Sequence, residues 1–144
     1  MIKIYTDGSC IGNPGAGGWA AIILDDKNEK IISGNKNNTT NNQMELFAAI
    51  KALSNFNKKK SFKIFTDSNY VKDGITKWIK NWKKNNWKTS AKKPVKNADL
   101  WQILDTLNEQ HEIEWCWVKG HSGHPGNERA DELANIGAAS VSKG

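Results

Sequence analysis

Three strand-like segments in succession, followed by alternating strands and helices, predict an α/β domain for this 144-residue chain. Three observations carry that prediction. The first residues alternate with a period of two, the apolar spacing turns helical after residue 42, and two short apolar segments further on are each followed by helix signals.

Ile2, Ile4 and Thr6 alternate with Lys3, Tyr5 and Asp7, so the first strand has one buried face and Asp7 falls near its end. Gly8 to Gly18 is glycine-rich and contains Pro14, which predicts a turn into a second strand, Trp19 to Leu24. Asp25, Asp26 and Asn28 supply the loop to a third strand near Lys30 to Gly34, and residues 35–42 are polar and turn-like. Met44, Leu46, Phe47, Ala48, Ile50 and Leu53 then form a broad apolar stripe, the mark of a largely buried helix. Phe62 to Phe65 reads as a fourth strand, with Asp67 and Ser68 where it gives way to a helix. Tyr70 to Trp87 reads as one or two helices, Thr89 to Asn97 as a loop around Pro94, and Ala98 to Gln110 as another helix. Ile113 to Val118 is the fifth strand, residues 119–126 a glycine-punctuated loop, Asn127 to about Ala139 a last helix, and residues 140–144 a flexible tail. The length suits a single domain over residues 1–144, with no internal repeat and no linker.

No apolar run approaches the ~20 residues of a membrane helix. The N-terminus enters a strand at once, leaving no room for a secretory leader, so a cytoplasmic location and no membrane partner are expected. Cys10 and Cys116 lie far apart without C-x-x-C spacing, which argues against a disulfide or a zinc site. The net charge is +6, unevenly spread. Residues 72–96 carry nine lysines against the single acid Asp73, a local charge of +8, which leaves −2 for the rest. A near-neutral body with one basic segment suits a polyanionic partner, although a basic run can also be a solvated face.

Four carboxylates stand out, each with an ordinary structural alternative. Asp7 can be a strand-end turn former. Glu45, three residues after Asn42, can complete a helix capping box. Asp67 can cap the helix after strand four, and Asp131 can sit on a wet helix face. Their contexts are alike in pairs, because Asp7 and Asp67 both end strands while Glu45 and Asp131 both open helices after polar loops. Such ends can converge, and converged carboxylates need divalent cations to offset their repulsion; hard oxygen ligands suit magnesium.

Read with their flanks, these residues resemble the type I ribonuclease H family. The ordered blocks are Tyr5-Thr-Asp7-Gly-Ser-Cys10 with Gly12-Asn13-Pro14-Gly15, then Thr40-Asn41-Asn42 with Met44-Glu45, then Thr66-Asp67-Ser68 with Tyr70, then Trp115 to Asp131 through His121 and His124. Each piece is common alone, but four blocks in order and spacing are specific. The resemblance implies a five-stranded mixed sheet flanked by helices, the ribonuclease H-like fold. It implies endonucleolytic cleavage of the RNA strand of RNA·DNA hybrids, with little sequence dependence and 5′-phosphate and 3′-hydroxyl ends. It also implies two Mg2+ ions, with Mn2+ as a substitute, held by Asp7, Glu45, Asp67 and Asp131, and His121 as a loop histidine near the leaving group. The basic stretch from Trp78 through Trp82 to Trp87 looks like the family's basic protrusion, which grips the DNA strand.

Selection of RNA requires groups that meet the 2′-hydroxyl in a shallow minor groove. Cys10, Asn13, Asn41, Asn42, Gln43 and Asn69 lie in the matched loops and can supply them; Asn69 stands where some relatives carry Gln, a shorter reach. Thr40 and Asn97, by resemblance, hold a DNA phosphate. Trp78, Lys83, Lys84, Lys88 and Asn127 complete the expected substrate contacts, while Trp19, Trp101, Trp115 and Trp117 are expected in the core. The partner is thus an RNA·DNA hybrid, and the protein is expected to be a monomer. A non-catalytic hybrid-binding module, a resolvase- or transposase-like nuclease and a ribonuclease H domain of a reverse transcriptase are the competing readings; the complete acidic set argues against the first, the His121 block against the second and the basic protrusion against the third.

Overall fold

The computed structural model describes the chain except for Lys27, residues 119–124, Gly144 and the side chains of residues 142 and 143. His121 and His124 lie outside the described residues. Five strands form one mixed sheet in the order β3-β2-β1-β4-β5, with β1 (Ile2–Ile11), β2 (Gly15–Asp25), β3 (Asn28–Thr39), β4 (Ser61–Thr66) and β5 (Glu112–Trp117). β1 runs antiparallel to β2 and parallel to β4, and β4 is parallel to β5. Hairpins therefore build one half and crossovers through helices the other, as the change in sequence period requires.

The first strands are longer than their apolar pattern suggested. Gly8 pairs with Trp19, Ser9 with Gly18 and Cys10 with Gly17, so residues assigned to a turn continue the ladder and Asp7 sits inside β1 rather than near its end. Likewise residues 35–39 extend β3 rather than forming a turn. Glycines hid the first extension, which pairs with Gly17 and Gly18, and polar side chains hid the second, because β3 is an edge strand facing largely solvent.

Helices pack on both faces of the sheet. α1 (Asn41–Leu53) buries Met44, Glu45, Leu46, Ala48, Ala49, Ile50, Ala52 and Leu53. It begins where Thr40 accepts a hydrogen bond from the Gln43 amide, so the cap is Thr40 and the Asn42–Glu45 capping box does not form. On this face a Cβ at Gly8 would lie 2.5 Å from the Glu45 nitrogen and 2.6 Å from the Met44 carbonyl carbon, so only glycine lets α1 approach so closely. On the opposite face a Cβ at Gly18 would lie 2.2 Å from the Ala134 oxygen of α5 (Pro125–Lys143). α5 continues to Lys143, beyond the end expected near Ala139.

Ser68 caps α2 (Asn69–Asp73) by accepting from the Val71 amide. A π-type turn, Gly74–Trp78, leads into α3 (Ile79–Lys84). The chain then loops back to α4 (Ala98–Gln110). Trp101 is fully buried and donates through Nε1 to the Tyr70 hydroxyl, and Trp82 packs 5.3 Å from it and 6.0 Å from Trp78. This aromatic ladder anchors the basic segment to the sheet's helical cover. Trp19 and Trp115 are half-buried, whereas Trp117 is exposed and so is not the core residue expected. The sheet's own residue pattern explains it: β5 is an edge strand, and its short run presents alternate side chains outward.

Candidate active site

Parallel register places the first two carboxylates. Tyr5 pairs with Phe65 across β1 and β4, so Asp7 and Asp67, each two residues further on, emerge together beyond the parallel pairing. Glu45 reaches the same point from the second turn of α1, and its Oε1 accepts from the Gly8 N–H at 3.0 Å while that N–H also meets Asp7 Oδ1 at 2.9 Å. Ligand atoms of Asp7, Glu45 and Asp67 lie within 4.8 Å of one another. Asp131, in the second turn of α5, lines the same cleft of about 470 Å³ without joining that tight group.

The electrostatics are those of an overcrowded acidic site. Asp7 and Glu45 are 2% and 4% exposed. Burial first, and then the Glu45 charge, pushes the Asp7 carboxyl far above the usual carboxylate range. Burial likewise raises Glu45 to about 8, assisted by the charges of Asp67 and Asp131 and opposed by its contact with Asp7 and the Gly8 N–H. Asp7 Oδ2 and Glu45 Oε2 are buried with no hydrogen-bond partner. Buried acceptors in that state are costly, and a hard divalent cation is the species that satisfies them; the all-oxygen donor set fits one.

The expected substrate residues separate into groups. Cys10, Asn41, Asn42 and Asn69 line the acidic cleft. Asn13, Thr40, Asn42, Gln43 and Asn97 line a neighbouring pocket of about 400 Å³ with Tyr70 and Lys96, a cation whose place in the lysine run gives no hint of this role. Asn97 braces this pocket from a left-handed backbone (φ 59°), accepting from Gln43 Nε2 and donating to Tyr70. Trp78, Lys84 and Lys88 are exposed along the basic segment.

One expected contact needs correction. Asn127 is 1% exposed and donates to the Phe65 carbonyl, so it braces α5 against β4 and offers no surface to a nucleic acid. Lys83 is exposed too, but its ammonium is shared with Asp105 at 3.0 Å and Glu109 at 2.8 Å, acids that compete with a phosphate for it. Three residues carry signals that periodicity does not show: Trp117 donates to the Asp67 carbonyl, and Ser9 and Asn135 link β1 to α5 beside Asp131.

The RNase H family model matches residues 1–139. Ribonuclease H of Alcanivorax borkumensis is 61% identical over 136 residues, covering 94% of this chain and 90% of that protein. Ribonuclease H of Cupriavidus pinatubonensis is 56% identical, with 97% of each chain covered. Among solved structures, LC9-RNase H1, described as a type 1 RNase H with the type 2 active-site motif, superposes with a TM-score of 0.85 at 30% identity, covering 96% of this chain and 72% of that one. With the ordered sequence blocks brought into one acidic cleft and these likenesses running almost end to end, the chain belongs to the type I branch of the ribonuclease H family.

Proposed function

We propose that this protein hydrolyses the RNA strand of RNA·DNA hybrids at a site formed by Asp7, Glu45, Asp67 and Asp131. The observation that carries the proposal is the convergence of Asp7, Glu45 and Asp67 with two buried, unsatisfied carboxylate oxygens, in a cleft lined by neutral amides. Asp7, Glu45 and Asp67 would hold divalent ions, with Asp131 at the rim; Mg2+ is the proposed metal, in two copies, and Mn2+ its substitute. When bound, such ions supply an activated water on one side of the phosphorus and charge stabilisation of the departing 3′ oxygen on the other.

The chain's own residues do the rest. Asn41, Asn42, Asn69 and Cys10 sit beside the acidic cluster, where neutral donors and acceptors can meet ribose hydroxyls without adding charge. Because such contacts read sugar rather than base edges, cleavage should depend little on sequence. Asn13, Thr40, Asn97 and Lys96 offer the neighbouring pocket to a phosphate of the DNA strand. Lys84 and Lys88 extend that grip along the basic segment, and His121 is the proposed proton carrier. The enzyme is proposed to act as a cytoplasmic monomer; no helix among the described residues is long and apolar enough to cross a membrane.

The test is one cleavage assay on labelled hybrid, duplex DNA, duplex RNA and single-stranded RNA, with and without Mg2+. Metal-dependent cleavage of the hybrid's RNA strand alone, leaving 5′-phosphate ends, is expected. Equal cleavage of duplex DNA would overturn the proposal.

A further inference from the structure

Asp131 is supported differently from Asp7 and Glu45. Asp7 and Glu45 are buried and share the Gly8 amide, whereas Asp131 is half-exposed on α5 and stands outside the tight cluster. One turn further along the same helix, Asn135 donates from Nδ2 to Asp131 Oδ2 at 3.3 Å. From the other side, the Ser9 hydroxyl donates to Asn135 Oδ1 at 2.5 Å. Ser9 is on β1, two residues from Asp7, and lines the acidic cleft.

These two bonds define a direction. The Asp131 carboxylate only accepts, so the Asn135 NH2 group faces it and the amide oxygen is left to accept from the Ser9 hydroxyl; the flipped amide would set its oxygen against the Asp131 oxygen. The link thus connects the strand that bears Asp7 to the helix that bears Asp131, through a side chain that carries no charge. A lysine or arginine in that place would hold the carboxylate too, but it would neutralise the charge that a metal needs. We propose that Asn135, oriented by Ser9, is a positioning residue that holds Asp131 at the metal site and sets the metal concentration at which the enzyme works. This inference rests on the reading of Asp131 as a metal ligand given above.

Outer partners of metal ligands commonly change metal affinity or activity by ~10- to 100-fold when removed. Asn135 is exposed, so the effect belongs at the lower end of that range. The experiment compares Asn135→Ala, Ser9→Ala, Asn135→Gln and Asp131→Asn with the parent protein. Four quantities are measured: the Mg2+ concentration for half-maximal cleavage, the maximal rate, hybrid affinity in Ca2+, and Mn2+ binding to the protein alone by calorimetry. Asn135→Ala should raise the half-maximal Mg2+ concentration roughly tenfold and weaken Mn2+ binding, with near-parental rate at saturating metal and unchanged hybrid affinity and melting temperature. Ser9→Ala should shift the same quantities in the same direction by less, and Asn135→Gln should restore part of the loss. An unchanged metal requirement in Asn135→Ala and Ser9→Ala, alongside an inactive Asp131→Asn, would overturn the positioning role and leave the site reading standing. Parallel losses of melting temperature and hybrid affinity would also overturn it, in favour of simple packing. A fully active Asp131→Asn would remove the site reading and this inference together.

Discussion

Gly8 serves two carboxylates with one N–H, and its lack of a side chain lets the backbone of α1 pass close by. Gly8→Ala should therefore cost about 2–3 kcal/mol, since its Cβ meets backbone that cannot step aside. It should also lower activity by displacing Glu45. Chemical denaturation together with a rate assay checks both effects, and a stable, active Gly8→Ala protein would show that α1 sits further from β1. Asp7→Asn should abolish cleavage while leaving hybrid binding intact, because the amide keeps the shape and removes the charge. In the absence of metal the same change removes a carboxyl whose charged form burial and the Glu45 charge disfavour, so stability should rise by about 1 kcal/mol, roughly 3 to 4 °C for a chain of this size. Melting curves in a chelator, beside turnover in Mg2+, separate the two consequences. The chemical identity of these residues was legible in the sequence; the shared amide was not, because Gly8 and Glu45 are 37 positions apart.

The basic segment makes its own forecast as an element. Its nine lysines read as one handle, yet Lys83 is tied to Asp105 and Glu109 of α4, and Lys77 pairs with Asp73. Lys83 therefore belongs with the aromatic ladder of Trp82 and Trp101 that fastens α3 to α4, while Lys84 and Lys88 remain exposed to a polyanion. Replacing Lys84 and Lys88 with alanine should flatten the dependence of log K on log salt by ~1.4 to 1.8, at ~0.7 to 0.9 for each phosphate that is no longer neutralised. Lys83→Ala should change that slope by less than either. Equilibrium binding to a hybrid in Ca2+, titrated with salt, decides it; a slope unmoved by the double change would make the segment a solvated face. The helix and its lysines were visible from sequence spacing. The Lys77–Asp73 pair is local, four residues apart, whereas the pairing of Lys83 depended on α4, whose acids meet α3 only after the chain has folded back.

At the scale of the molecule, the acidic site is a liability until it is filled. Glu45 is raised from 4.5 to about 8, so its contribution to stability is present below pH ~4.5 and is lost as pH rises through about 8. Asp7 is raised further, with the same sign. His111, buried against Phe62 and accepting from the Lys60 amide, is lowered by burial and acts oppositely, losing stability as pH falls below ~6.5. The metal-free protein should accordingly lose stability between about pH 6.5 and 8, and saturating Mg2+ should flatten that decline. Thermal melts across this window, with and without metal, test it. An Asp7→Asn variant whose slope matched the parent's would show that the cluster is not the source.

The order and type of most elements, the family and the acidic residues that line the cleft were legible in the linear chain, because burial period and motif spacing are properties of neighbouring residues. Only the folded molecule placed Asp7 in the interior of β1, made Thr40 rather than Asn42 the cap of α1, and buried Asn127. It also brought Ser9 to Asn135 across 126 positions of chain. Polar residues pair in a strand, close a cap or support a carboxylate according to what the fold brings within about 3 Å, the reach of a hydrogen bond, and that distance is set between elements rather than along the chain.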